Sequence, residues 1–137
     1  MKTEYMGFDS RSKEAFNTAQ LGAVLARKEE YLLPLRFDSN GADVLAYNPA
    51  TNRTRAIQIK ARVAVARKYL GKELWIAFPR WVADHQQDWY VVPHDTLEAL
   101  WGKTRTWQKD AEWSANSLPE HLIAALLEFR VGSIALS

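Results

Sequence analysis

Asp43, Gln58 and Lys60 are the residues whose types and spacing best suit chemistry on a phosphate ester. Mg²⁺ and Mn²⁺ take oxygen ligands, and Mg²⁺ is commonly held by only one or two carboxylates. Asp43 offers an anionic oxygen, the Gln58 side chain a neutral one and the Ile59 backbone carbonyl a third. Lys60 would then orient a water molecule or stabilise charge on a phosphate. The pattern therefore predicts a divalent-cation site.

A predicted β-hairpin must position these residues. Strand patterns occupy residues 42–47 and 54–60, and Asn48–Arg53 (NPATNR) provides the turn between them. Symmetric pairing about this turn places Val44 directly opposite Ile57.

The same register places Asp43 opposite Gln58. Side chains alternate between the two faces of a strand, so both residues would share one face with Lys60. Opposed β-carbons lie about 5 Å apart, which would bring a carboxylate, an amide and an ammonium to one patch. Two alternatives remain: Asp43 is only a turn residue, or this is a solvated face of an antiparallel sheet.

A helix is predicted ahead of the hairpin. Ser10 or Ser12 would cap its start, and the pattern ends near Glu30. Leu21 and Leu25 belong to an apolar stripe at helical spacing, which would pack towards the core.

Carried back towards the helix start, the same stripe becomes polar. Glu14 lies seven residues before Leu21 and would supply a second carboxylate if the helix packs over the strand end. Asn17 and Gln20 are the alternative residues for this position. Glu14 also suits a polar first turn near the positive end of the helix dipole.

The charge of the chain is unevenly distributed although its net value is only +2. No acidic residue occurs between Asp43 and Glu73. Arg62, Arg67 and Lys68 lie in this interval and would contact a phosphate backbone. The interval holds seven basic residues in all: Arg53, Arg55, Lys60, Arg62, Arg67, Lys68 and Lys72. The alternative is an ordinary solvated charged surface.

Composition excludes several other classes of protein. With 137 residues, one domain over 1–137 is expected. The absence of cysteine excludes disulfides, thiolate metal sites and a cysteine nucleophile. No apolar run approaches the roughly 20 residues of a membrane span, and the first residues lack the apolar core of a signal peptide. We therefore expect a cytoplasmic protein without a membrane partner.

The remaining pattern predicts a mixed sheet covered by helices, in an α/β or α+β domain. Further strands are predicted at residues 31–36, 74–78 and 89–92, with a loop at 37–41. A short helix would begin at Asp95 with Glu98 as its capping-box partner, and a last helix near Ser117. Among six tryptophans, Trp81, Trp107 and Trp113 lie in loop-like surroundings and are candidates for stacking on bases.

The segment at residues 41–62, GADVLAYNPATNRTRAIQIKAR, resembles the D-x(n)-(D/E)-x-K core of the PD-(D/E)xK nuclease superfamily. Asp43 stands at the first aspartate of that motif, Gln58 at the second acidic position and Lys60 at the lysine. The later segments LWIAFPR and DWYVVPHDTL are similar to strands and a helix of small bacterial members. The likeness covers about residues 14–100.

This resemblance implies a restriction-endonuclease-like mixed sheet of about 4–5 strands, flanked by helices. It also implies hydrolysis of DNA phosphodiesters by a metal-activated water, with Mg²⁺ or Mn²⁺ as cofactor, and it allows a homodimer. Gln58 departs from the motif and removes one negative charge from the metal site. The alternatives are a catalytically inactive relative that binds nucleic acid or protein, and an unrelated α/β protein in which the three residues do not meet.

Overall fold

The computed structural model describes residues 1–102 and 112–136, without the side chains of residues 37–39. Within these ranges the protein is a mixed α/β structure, as predicted, with a six-stranded mixed sheet and a separate two-stranded sheet. None of the helices in the described ranges has the length and apolar character to span a membrane.

The described parts of the chain contain four α-helices and eight strands. The helices are α1 (Lys2–Met6), α2 (Ser10–Ala26), α3 (His94–Trp101) and α4 (Glu120–Ala125). The strands are β1 (Tyr31–Ser39), β2 (Ala42–Asn48), β3 (Arg53–Ile59), β4 (Ala64–Ala66), β5 (Trp75–Ala83), β6 (Gln86–Pro93), β7 (Glu112–Ser114) and β8 (Arg130–Ala135). Short 3₁₀ turns occupy Arg67–Tyr69 and Leu127–Phe129.

The large sheet has the order β1-β2-β3-β5-β6-β8, and β3–β5 is its one parallel pair among the described strands. The expected number of 4–5 strands is therefore too small. The additional strand is β8, whose short sequence RVGSIA contains a glycine and gives a weak strand pattern. The predicted loop at 37–41 is also wrong, because β1 continues to Ser39 and the turn consists of Asn40 and Gly41.

Both faces of the large sheet are covered, as expected for a sheet flanked by helices. On one face α2 buries Leu21, Val24 and Leu25 against Ile57 and Trp89. On the other face α3, α4 and the small β4–β7 sheet bury a second apolar cluster, which includes Leu97, Trp101, Trp113 and Leu122. Each fully buried leucine stabilises the fold by about 1.5–3 kcal/mol.

The ends of α2 differ from the sequence prediction. Its cap is Asp9, whose carboxylate accepts the Ser12 backbone N–H at 2.8 Å, and neither Ser10 nor Ser12 is the cap. This hydrogen bond, and a second one from the Ser12 side chain, lower the pKa of Asp9. The helix ends at Ala26 rather than near Glu30, because Glu29 takes a φ of 57°, which α-helix excludes.

The predicted capping box of α3 does not form. Its N-cap is Pro93, and no side-chain hydrogen bond caps the helix. Asp95 instead accepts the Gly71 backbone N–H at 3.0 Å and lies 2.9 Å from Nδ1 of His94. Asp95 therefore ties α3 to the chain that follows β4.

Candidate functional site

The β2–β3 hairpin has the predicted register as far as Val44↔Ile57, but the predicted pair of Asp43 with Gln58 is not part of the ladder. Backbone pairs run from Asn48↔Arg53 to Val44↔Ile57, and there the ladder ends. Beyond this point the two strands separate, and the carboxylate of Asp43 accepts the backbone N–H of Ile59 at 2.8 Å. Asp43 thus occupies the gap where the strands separate.

Ile59 connects this gap to the core. Its side chain packs on the α2 side of the sheet with Val44 and Ile57, as the alternation of strand side chains requires. In an antiparallel pair a residue directs its N–H and its C=O to the same neighbouring strand. Since the Ile59 N–H meets Asp43, the Ile59 carbonyl lies towards the same gap.

The separated strand ends and the first half of α2 enclose a cavity of about 480 Å³, here called the hairpin cavity. It brings together all of the predicted site residues Glu14, Asp43, Gln58, Ile59 and Lys60. The rest of its lining is Ser10, Lys13, Asn17, Thr18 and Ala61. Of the three helix residues left open by the sequence, Glu14 and Asn17 line this cavity and Gln20 does not.

Asn17 has a buried polar atom that is available to bind a ligand. It is 3% exposed, and its Nδ2 donates to the Tyr5 hydroxyl at 3.0 Å. Its Oδ1 is buried and has no hydrogen-bond partner in the described part of the chain. Burial raises the pKa of Tyr5, an effect opposed by this hydrogen bond from Asn17. The sequence signal was a polar residue continuing the apolar stripe of α2.

Lys60 lies at the edge of the site. Its backbone N–H donates to the Ala77 carbonyl at 2.8 Å, which continues the β3–β5 pairing by one residue. Its ammonium is 3.9 Å from Glu112, and the two side chains are 33% and 54% exposed. Exposed pairs of this kind contribute at most about 1 kcal/mol, so the ammonium can exchange this partner for a phosphate.

The predicted phosphate-binding residues lie on different sides of Lys60. Arg62 donates to Asn116 Oδ1 at 2.8 Å and lines a larger cavity of about 650 Å³. Lys68 lines a small cavity of about 40 Å³ that also touches Gln58 and Lys60. Arg67 is exposed at the start of the 3₁₀ turn and lines none of these three cavities.

Tyr69 contacts the turn before Asp43, which the sequence did not indicate. Its ring lies against Gly41 in the β1–β2 turn, two residues before Asp43. Gly41 has a φ of 90°, and a Cβ built there would lie 2.5 Å from the Tyr69 ring. The turn therefore requires glycine for its backbone conformation and for its contact with Tyr69.

The three candidate stacking tryptophans have different positions. Trp81 lies in β5 and not in a loop as predicted; it is half-buried, with its ring 5.5 Å from that of Tyr5. Trp113 is 5% exposed and packs edge-on against Trp101, so the prediction of a loop residue able to stack is wrong for it. Trp107 lies outside the described residues.

The donor set of the hairpin cavity suits a hard divalent cation. Asp43 and Glu14 offer carboxylates, Gln58 and Asn17 amide oxygens, and Ile59 a carbonyl. The unpartnered Asn17 Oδ1 in particular is a buried oxygen that a cation would satisfy. Residues 1–102 and 112–136 contain no group of three or more histidine, cysteine or acidic residues arranged for a metal. Oxygen donors of this kind are the ones that Mg²⁺ and Mn²⁺ take, whereas Zn²⁺ sites are built mainly on cysteine and histidine.

Comparisons with protein-family models, curated proteins and solved structures find no match to this chain.

Proposed function

We propose that this protein hydrolyses phosphodiester bonds in DNA, with Mg²⁺ or Mn²⁺, in the manner of the PD-(D/E)xK nucleases. The observation that carries the proposal is the hairpin cavity itself. It gathers the motif residues Asp43, Gln58 and Lys60, the carbonyl-bearing Ile59 and the helix carboxylate Glu14 around one space.

Asp43, Gln58 and Ile59 would hold the cation, with Glu14 as a further carboxylate. When bound, such a cation polarises the phosphate and lowers the pKa of a coordinated water. The Ile59 N–H fixes one oxygen of the Asp43 carboxylate, which orients the other oxygen without further loss of side-chain freedom.

Lys60 would act on the phosphate. Its ammonium stands at the rim of the cavity and would stabilise the negative charge that develops on the phosphate oxygens during attack by water. Lys13 lines the same cavity from α2 and offers a second positive charge. The two lysines balance the two carboxylates, so the lining of the cavity carries no net side-chain charge.

A second function, binding without catalysis, is favoured by the small number of acidic ligands. Gln58 replaces a carboxylate, and Glu14 is an exposed residue of the first helical turns. A protein with so few charges at the site would bind the cation weakly. In that case the basic residues around the cavity would still bind nucleic acid or an acidic protein.

The decisive experiment measures nicking of plasmid DNA in Mn²⁺ by the wild type, Asp43→Asn and Lys60→Ala. The amide oxygen that Asp43→Asn introduces can still accept the Ile59 N–H, so the hairpin of this variant is expected to fold normally. We expect each variant to lose about 100-fold or more of the activity, the size typical of one catalytic contact.

Lys28→Ala is the matched control, because Lys28 is exposed beyond the end of α2 and lines none of the cavities described. It should leave nicking unchanged. Equal nicking by all four proteins would exclude the hairpin cavity as the active site. No cleavage by any of them, of the plasmid or of a duplex that carries a single-stranded tail, with salt-sensitive DNA binding retained, would favour the binding function instead.

A further inference from the structure

The larger cavity beside the hairpin cavity has properties of its own. It has a volume of about 650 Å³, within the range of about 300–1,000 Å³ common for ligand pockets. Its walls come from α1, the loop after β3, the middle of β5 and the start of α4. Lys13 and Ala61 line both cavities, so the two spaces adjoin. We call it the basic cavity.

Charge distinguishes the basic cavity. Its lining includes four cationic side chains, those of Lys2, Lys13, Arg62 and Arg80, against one carboxylate, that of Glu120. None of the four cations forms an ion pair within 4 Å in the described part of the chain. An excess of unpaired positive charge in a concave site attracts a polyanion.

Aromatic side chains lie among these cations. Trp81 is half-buried in the wall, next to Tyr5, and Phe78 also lines the cavity. Cations that follow a phosphate backbone and aromatic rings that accept bases are the two elements of single-strand binding sites. Bases of an intact duplex are stacked inside it, and a base reaches such a wall only when it leaves the stack.

We infer that the basic cavity binds the unpaired nucleotides of the substrate, with phosphates at Arg62 and Arg80 and a base on Trp81. This inference rests on the proposed function for the nature of the ligand. It narrows that function to substrates with a single-stranded segment beside the cleaved bond, since the cavity begins where the hairpin cavity ends.

The experiment measures binding by fluorescence anisotropy in EDTA, so that no cleavage occurs. The probes are labelled thymidine and uridine oligonucleotides of about 12 nucleotides, a length within the single-strand site sizes of known folds, and a blunt DNA duplex. The proteins are the wild type, Arg62→Gln/Arg80→Gln, Trp81→Ala and Trp81→Phe. Arg53→Gln is the control, because Arg53 is exposed at the far end of the hairpin.

We expect the wild type to prefer a single strand to the duplex, and the thymidine and uridine probes show whether DNA or RNA is preferred. Trp81→Ala should weaken single-strand binding about 5- to 150-fold, the range for loss of one stacked base, and Trp81→Phe should restore most of it. The double arginine variant should reduce the slope of log affinity against log salt by about 1.4, two contacts at about 0.7 each.

Two results would overturn the inference: duplex binding as tight as single-strand binding, or equal losses in Arg53→Gln and in the double arginine variant. Failure of the inference is distinguishable from failure of the proposed function. Nicking that depends on Lys60, with no single-strand preference, refutes the inference alone. Single-strand binding at Trp81, with no cleavage in Mn²⁺ of either the plasmid or a duplex that carries a single-stranded tail, refutes the proposed hydrolysis alone.

Discussion

The hairpin cavity and the basic cavity meet at Lys13 and Ala61, yet they are built and charged differently. In the hairpin cavity the side-chain charges balance, and backbone hydrogen bonds at the end of β3 fix the key groups. In the basic cavity positive charge is in excess and the walls come from several separate segments. The two proposals accordingly assign the reacting groups to the hairpin cavity and the charged ligand to the basic cavity.

Among the variants that test this difference between the two cavities, Gly41→Ala is expected to change stability and nicking most. An alanine at φ 90° is strained, and its Cβ would overlap the Tyr69 ring, so we expect a stability loss of about 1–3 kcal/mol and a clear fall in nicking. Single-strand binding should be retained, because Gly41 lies outside the basic cavity. Urea unfolding and the nicking and anisotropy assays measure the three quantities.

Gly71→Ala is the matched control for Gly41. Its φ is 75°, but a Cβ there would meet nothing within 4 Å, so the variant carries the backbone strain without the contact. We expect Gly71→Ala to be the milder change in both stability and nicking. Equal effects of the two substitutions would show that Tyr69 does not position the turn before Asp43.

An intermediate loss of stability is expected from Asn17→Ala, in the wall that the two cavities share. Asn17 lines the hairpin cavity, Tyr5 lines the basic cavity, and their hydrogen bond crosses between them. Asn17→Ala would leave the buried Tyr5 hydroxyl without its donor, at a cost of about 1–3 kcal/mol. Adding Tyr5→Phe should recover part of this loss, since the unpaired hydroxyl is then gone.

A double-mutant cycle by urea unfolding measures this coupling. Strictly additive losses in the two single variants and the double variant would show that the wall is not held by this bond. The contribution of Tyr5 to stability also depends on pH. The pKa of Tyr5 is raised above 10.0, so its contribution to stability is complete below pH 10 and declines as the pH rises through the folded pKa.

The smallest effect on stability is expected from a change at Asp95, which accepts the backbone N–H of Gly71, two residues after Tyr69. The hydrogen bond with His94 lowers the pKa of Asp95 below 3.8, burial opposes this, and the Gly71 N–H adds to the lowering. A lowered pKa stabilises the fold above pH 3.8 and ceases to do so as the pH falls through the folded value.

Asp95→Asn lacks this titration. Its urea midpoint should therefore lie slightly below that of the wild type at pH 7, and the difference should shrink below pH 4. A constant difference over this range would show that the Asp95 contacts do not depend on its charge. Nicking at pH 7 should change little, since Asp95 lines neither the hairpin cavity nor the basic cavity.

The hairpin could be predicted in detail because its turn and its strand patterns lie close together in the sequence. The turn and the period of two fixed the Val44↔Ile57 register, and with it the neighbourhood of Asp43, Gln58 and Lys60. What the pattern could not show is that the ladder stops one step before Asp43. At that point the Asp43 carboxylate, rather than a backbone carbonyl, accepts the Ile59 N–H.

The basic cavity could not be predicted, because its cations are far apart in sequence. Lys2, Arg62 and Arg80 line one cavity only through the tertiary fold, which includes the parallel β3–β5 pair that no local pattern indicates. The position of Asn17 could not be predicted either. Glu14 and Asn17 both face the cavity, and the spacing along α2 alone could not choose between them.

One contact of α2 has a consequence for the order in which the protein folds. The guanidinium of Arg27, just past the end of α2, donates to the Ser133 carbonyl at 2.8 Å, and Val24 packs closely on Gly132. Both partners lie in β8, more than 100 residues further along the chain. Local pairings such as the β2–β3 hairpin form early, whereas contacts between distant segments form late. We therefore expect Asp43 and Ile59 to meet first, and Glu14 and Asn17 to close over them only after β8 has joined the sheet.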